Sequence, residues 1–206
     1  MTRTHLVVGA GPIGSAVARR LVAAGDTVRV VTRSGSGPEG TERIAADAAD
    51  AERLANLAAG SDVIYNCVNP TYHRWVTDWP PVAAALLGAA ESSGAVLVTT
   101  ANLYGYGPVD RPMTEDMPLA GTYSKAQVRN RMWLDALAAH EAGRVRATEA
   151  RGADYIGPGA ESHLGDRVMP NLRAGKKVTV TACLDSRPTG TYTEDMAATL
   201  VAIGAD

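Results

Sequence analysis

The feature that most constrains this chain lies within its first fourteen residues. A short apolar run, His5-Leu6-Val7-Val8, feeds directly into Gly9-Ala10-Gly11-Pro12-Ile13-Gly14. At G-x-G-x-x-G spacing each glycine has its own physical job. Gly9 allows a tight strand-to-helix turn, Gly11 lets the main chain approach a pyrophosphate, and Gly14 lets the helix pack on the strand. A helix starting near Pro12 aims unpaired N–H groups and its positive dipole end at the same point. Proline is tolerated there because its missing donor would have gone unpaired. The strand before the motif and the amphipathic helix after it supply the context a dinucleotide needs. Gly9, Gly11, Pro12, Ile13 and Gly14 are therefore candidate cofactor contacts.

The choice of dinucleotide turns on the next strand. A helix over Ile13 to Ala24 closes at Gly25-Asp26, and Thr27 to Thr32 reads as a strand that ends at Arg33-Ser34. The side chain at that tip lies beside the adenosine ribose. An acidic residue there takes the 2′-hydroxyl, whereas an arginine accommodates a 2′-phosphate. Arg33 and Ser34 thus argue for NADP(H) over NAD(H).

Strands and helices then alternate: strand Thr41 to Ala46, helix Ala51 to Ala59 capped by Asp50, and strand Asp62 to Val68, whose Asn66, Cys67 and Val68 should sit over the cofactor. Next come helix Val82 to Ser92, strand Ala95 to Thr100, helix Thr122 to His140 and strand Val145 to Ala150. A helix over Ser162 to Ala174, an extended Lys177 to Thr181 and a helix over Glu194 to Ile203 complete the chain. Unbroken alternation predicts an α/β fold of the Rossmann type, a doubly wound parallel sheet with helices on both faces. A chain of 206 residues has room for one such domain, about 1–160, and a small appended segment, 161–206.

Composition excludes several classes. A net charge of −2 supplies no polyanion-binding surface, so no nucleic-acid partner is expected. The longest apolar stretch, Val82 to Ala90, is too short to span a bilayer. Cys67 and Cys183 have no metal-ligand spacing and read as free thiols in a reducing compartment; no metal is expected. The chain enters its first strand within a few residues, which leaves no room for a signal peptide and points to the cytoplasm. The segment Thr71 to Pro81 is rich in aromatic and polar side chains. Trp75 and Trp79 at i,i+4 suit packing of a helix start, while Tyr72 and His73 could face a substrate.

By the fifth strand the order of features resembles the extended and atypical short-chain dehydrogenase/reductases, the group of NAD-dependent epimerases and dehydratases. The likeness runs through Gly9 to Gly14; Asp47-Ala48-Ala49-Asp50; Thr99-Thr100 followed by Leu103-Tyr104-Gly105; Tyr123; and Tyr155-Ile156-Gly157-Pro158-Gly159. The resemblance implies that Asp47 and Ala48 contact adenine, that Tyr155 and Gly157 lie beside the nicotinamide, and that Thr100 and Tyr123 are the catalytic hydroxyls. It also implies a lysine four residues after the tyrosine, which lowers the phenol's pKa and holds the ribose. Here that position is Gln127, able to hydrogen-bond a ribose but uncharged. Lys125 is at i+2, roughly 200° around a helix from the tyrosine. A second departure is the end at Asp206, which leaves less chain than the family's full substrate lobe uses.

Three functions follow from these readings. One is an NADP(H)-dependent oxidoreductase, or an epimerase/dehydratase, acting on a small carbonyl or alcohol with Thr100, Tyr123 and Lys125 as its catalytic set. Another is an NADP(H)-binding sensor without turnover. The third is a non-redox isomerase or cyclase that uses Tyr72, His73 or His163 as acid and base. A homodimer through the two long helices is implied by analogy with relatives.

Overall fold

The computed structural model describes residues 2–160, 168–179 and 189–205. Six strands form one parallel sheet: β1 (Thr4–Val8), β2 (Thr27–Thr32), β3 (Glu42–Ala45), β4 (Val63–Asn66), β5 (Val96–Asn102) and β6 (Arg146–Gly152), in the spatial order β3-β2-β1-β4-β5-β6. The expected doubly wound sheet is what forms. β1 pairs with β2 on one side and β4 on the other, His5 lying opposite both Val28 and Val63. Strand order reverses at that point, so a crevice opens beyond the carboxyl ends of β1 and β4.

Helices cover both faces: α1 (Pro12–Ala23), α2 (Ala51–Ala58), α3 (Trp75–Ser93), α4 (Ser124–Glu141), α5 (Met169–Arg173) and α6 (Thr193–Ile203). Successive strand residues alternate between two cores. Leu6, Val8, Ile64 and Leu97 pack with Leu54 of α2 and Trp79 and Leu86 of α3. Val7, Val30, Tyr65 and Val98 pack with Val17 of α1 and Met196 and Leu200 of α6. In a chain without Phe, Trp79 and Tyr65 are the largest side chains to be fully buried. The cap at Asp50 forms as its sequence suggested, its carboxylate accepting from the Arg53 amide at 3.0 Å.

Two stretches differ from the sequence expectation. α3 begins at Trp75 rather than Val82 and carries Pro80 and Pro81 inside it. Each proline removes a donor from the carbonyl four residues back, but both are exposed, so those carbonyls reach water. Trp75 and Trp79 anchor this early turn edge to face, 6.3 Å between centroids. The second difference is in the tail, where β7 (Asp154–Ile156) and β8 (Gly190–Tyr192) form a separate two-stranded parallel sheet. Such three-residue strands show no periodicity to read. Most of the expected helix start at 162–167 and residues 180–181 of the extended piece lie outside the described residues. α6 is part of the main core, and the Arg3 guanidinium ties its end down by donating to the Gly204 carbonyl at 3.1 Å.

His5 is buried in the middle of the sheet, with Nε2 3.1 Å from Asp26 Oδ2 and Nδ1 without a partner among the described residues. Burial holds its pKa below the ordinary 6.5, against the opposing pull of Asp26. Asp26 is held below its own ordinary value, despite burial, by hydrogen bonds from the Arg3 amide and His5. The unfolded chain therefore takes up protons that the folded chain refuses, first at His5 as pH falls below 6.5 and then at Asp26. Urea denaturation should show stability falling as pH is lowered from 7.5 to 5.5, with a smaller fall in His5→Gln. A pH-independent midpoint over that interval contradicts this.

Candidate functional site at the carboxyl edge of the sheet

The glycine turn is closed at two positions and open at the third. Gly9 has φ +97°, and a Cβ there would lie 2.5 Å from the Cys67 carbonyl oxygen and 2.9 Å from the Val68 nitrogen. A Cβ on Gly14 would collide with the Gly9 carbonyl and approach the Cys67 Cβ to 2.9 Å. Only glycine fits either place, because the end of β4 runs hard against the turn. A Cβ on Gly11 would meet nothing within 4 Å. Gly11 is the N-cap of α1, Pro12 begins the helix, and no side chain caps it. The amides of its first turn, Ile13 and Gly14 included, have no intrahelical acceptor and, among the described residues, no side-chain cap. Gly159, where a Cβ would lie 3.5 Å from the Pro12 ring, brings the Gly157-Pro158-Gly159 loop to the other side of this opening. A cradle of this form fits a diphosphate.

At the tip of β2, Arg33 is exposed and makes no hydrogen bond or ion pair among the described residues, while Ser34 Oγ donates to Ser36 Oγ at 3.0 Å. Beyond β3, Asp47 Oδ1 accepts from the Ala49 amide at 2.9 Å, which turns the chain and leaves Ala48 half-buried. Asp78 on α3 is held by both Nε and Nη2 of Arg74, each at 2.9 Å. That pair keeps the Asp78 carboxyl below its ordinary value, with Arg33 a further positive charge in range.

The ends of β4 and β5 are more engaged than their sequence suggests. Asn66 Oδ1 accepts from the Val68 amide at 3.3 Å. Thr100 Oγ1 donates to Cys67 Sγ at 3.5 Å, and burial pushes that thiol up to about 11, so Cys67 stays a neutral spacer. The Tyr155 hydroxyl donates to the Ala101 carbonyl at 2.5 Å and its ring covers Gly152; burial raises its pKa. Tyr155 thereby fastens β7 to β5.

Tyr123 stands before α4 as its N-cap, in extended backbone with φ −77° and ψ 154°. The 200° separation inferred for a shared helix therefore does not hold, because Tyr123 is outside the helix. Lys125, in the first turn, puts Nζ 4.2 Å from the centroid of the Tyr72 ring. The Tyr72 hydroxyl donates to that of Tyr104 at 3.3 Å, and the Tyr104 ring lies 5.9 Å from that of Tyr123. The three phenols form one patch with Trp75. Gln127 faces a groove of about 710 Å³ between α3 and α4, which Asn66 and Thr99 also line. No hydrogen bond among the described residues joins Thr100, Tyr123 and Lys125. Tyr123 is raised above its ordinary 10.0, by burial and then by Tyr72. His73 lies exposed in a short turn, Tyr72–Arg74, and His163 falls outside the described residues.

One residue went unrecognised in the sequence. Arg129 is buried, donates from Nη2 to the Thr100 carbonyl at 2.7 Å and rests on the Trp79 ring, 5.0 Å from its centroid. A cation stacked on an aromatic face in a desolvated place contributes about 2 kcal/mol. Glu149 and Arg151 pair beside it at 2.5 Å. Its only sequence signal is the i+3 spacing from Ala126 on the inward face of α4.

Restoring a charge at position 127 tests how this arrangement governs the phenol. In Gln127→Lys the titration of Tyr123, followed by ring-labelled tyrosine NMR, should move down by roughly one pH unit, since a nearby cation favours the phenolate. An unchanged titration would mean that Gln127 points away from Tyr123.

The profile of the family described as "NAD dependent epimerase/dehydratase family" matches residues 5–206. Comparison with curated protein sequences returns no match. Among solved structures, the fold is similar to the Bordetella bronchiseptica enzyme WbmH in complex with NAD+, with TM-score 0.82 and 19% identity over 100% of this chain and 73% of that one. The UDP-N-acetylglucosamine 4-epimerase from Methanobrevibacter ruminantium M1, in complex with UDP-N-acetylmuramic acid, gives TM-score 0.84 and 16% identity over 100% of this chain and 74% of that one. The UDP-glucose 4-epimerase from Brucella ovis, in complex with NAD, gives 0.78 and 18% over 99% and 73%. At these identities the likeness is one of fold. Among the described residues no helix is long and apolar enough to cross a membrane, and no group of His, Cys, Asp or Glu could hold a metal ion.

Proposed function

The chain belongs to the NAD-dependent epimerase/dehydratase family, and we propose that it binds NADP(H) in the cleft before Gly11 and acts on a small carbonyl or alcohol, as an oxidoreductase or an epimerase/dehydratase. One observation carries this reading: Gly9 and Gly14 are sterically obligatory, while among the described residues Gly11 faces empty space at a helix start that no side chain caps.

When bound, a nicotinamide supplies a hydride acceptor or donor. The chain's own residues do the rest. The amides of Ile13 and Gly14 hold the diphosphate, Asp47 and Ala48 border the adenine, and Arg33 and Ser34 take the 2′-phosphate. Asn66, Cys67 and Val68 floor the cleft, with Gly157 at its far side and Tyr155 fixing the strand end beneath. Gln127 hydrogen-bonds a ribose hydroxyl. Thr100 Oγ1 reaches a substrate oxygen by turning about one side-chain bond away from Cys67, and Tyr123 moves the proton at its phenol oxygen. A raised phenol pKa keeps Tyr123 protonated at neutral pH, which suits it to donate.

A second reading, a cofactor-binding sensor without turnover, is favoured by the neutral Gln127 and by the Thr100 hydroxyl already committed to Cys67. Titration separates the readings. NADPH should bind more tightly than NADH, and Arg33→Glu should weaken NADPH by roughly tenfold or more while sparing NADH. Substrate-dependent change in NADPH absorbance, suppressed in Tyr123→Phe, marks the enzyme; tight binding with no turnover marks the sensor. Equal NADPH affinity in Arg33→Glu would remove the basis for the phosphorylated cofactor.

A further inference from the structure

We infer that Lys125, Tyr72 and Tyr104 form an anion-recognising subsite on the carboxyl rim, and that the substrate presents a carboxylate or phosphate oxygen to it. The inference rests on the reading of this rim as the substrate side of a dinucleotide cleft.

Three separate elements converge there. Tyr72 comes from the turn after β4, Tyr104 from the turn after β5, and Lys125 from the first turn of α4. Lys125 does not extend into water but lies over the Tyr72 ring, 4.2 Å from its centroid. A ring face engages one of the three ammonium donors and leaves the others available. No carboxylate pairs with Lys125 among the described residues. The Tyr72 and Tyr104 hydroxyls lie 3.3 Å apart, so one of their two protons joins the oxygens and the other is left to donate outward, with no described group accepting it.

The subsite thus presents an ammonium and a phenol O–H, both donors, within one aromatic patch. Tyr72 is 53% exposed and leaves the approach open. Burial, then the neighbouring Tyr72 and the Asp154 carboxylate of β7, keep the Tyr104 phenol protonated. A neutral carbonyl ligand would use Tyr104 and leave the ammonium unanswered, whereas an anionic oxygen meets both. An ammonium resting on a ring has already given up part of its hydration, so exchanging its remaining water for an anion costs less than at a free surface lysine. A carboxylate and a phosphate share this chemistry.

Trp75 lies 5.1 Å from Tyr72, so its emission reports on the patch. Tryptophan fluorescence of the full chain is titrated with sodium phosphate and sodium acetate, against sodium chloride at matched ionic strength. The expected result is a saturable change with phosphate, acetate or both that chloride does not give; the anion that acts identifies the group. Lys125→Gln should weaken it by roughly tenfold or more, Lys125→Arg should retain most of it, and Tyr72→Phe should weaken it to a lesser degree. Arg146→Gln, which removes a charge at the opposite edge of the sheet, should leave it unchanged. Circular dichroism checks the fold, and if Lys125→Gln unfolds, Tyr72→Phe carries the test, since it removes only an exposed hydroxyl. A chloride response equal to the others, or variants at Lys125 and Tyr72 that titrate like wild type, overturns the subsite. A parallel NADPH titration tests the cofactor reading by itself: its failure with the anion response intact sinks that reading alone.

Discussion

The close approach of β4 to the first turn of the chain is the constraint on which the rest depends. The Cys67 carbonyl and Cβ occupy the volume that side chains at residues 9 and 14 would need, so the turn between β1 and α1 can form only with glycine at both. That contact sets the start of α1 and hence the direction in which its unpaired amides point. It also fixes the Cys67 thiol beneath Thr100, which couples the glycine turn to the end of β5. Cleft and putting-in-place of the strand ends are one packing event. Arg129 extends the same frame from the other face by holding the Thr100 carbonyl.

Much of this could be read in the sequence because its signals are local. Parallel strands buried on both faces appear as continuous apolar runs, and the helices between them carry spaced apolar residues and recognisable ends. The glycine spacing reported both the turn and its open middle position. What escaped depends on contacts distant in sequence. The start of α3 was hidden by Pro80-Pro81, which reads as a helix boundary until their exposure is known. β7 and β8 are too short for a pattern, and their pairing joins residues 154–156 to 190–192.

The site was legible unevenly for the same reason. Gly9, Gly11 and Gly14 declared themselves through backbone requirements. Side-chain roles did not: Tyr155 resembles a cofactor neighbour, yet its hydroxyl is spent on the Ala101 carbonyl. The spacing of Lys125 from Tyr123 has angular meaning only on a shared helix, which Tyr123 does not join, and the position of Lys125 over Tyr72 depends on a turn roughly fifty residues earlier in the chain. Arg129 looked like one more polar residue on a helix, because only the tertiary structure shows which side faces inward.

Substituting the one glycine of the turn that folding does not need asks the question most directly. Gly11 has φ −68°, and an added methyl there would touch nothing. Gly11→Ala should therefore fold with a stability within about 0.5 kcal/mol of wild type, while calorimetric titration shows NADPH affinity reduced by roughly tenfold or more, because the methyl stands where the diphosphate lies. Wild-type affinity in a folded Gly11→Ala protein would contradict a dinucleotide bound at this turn.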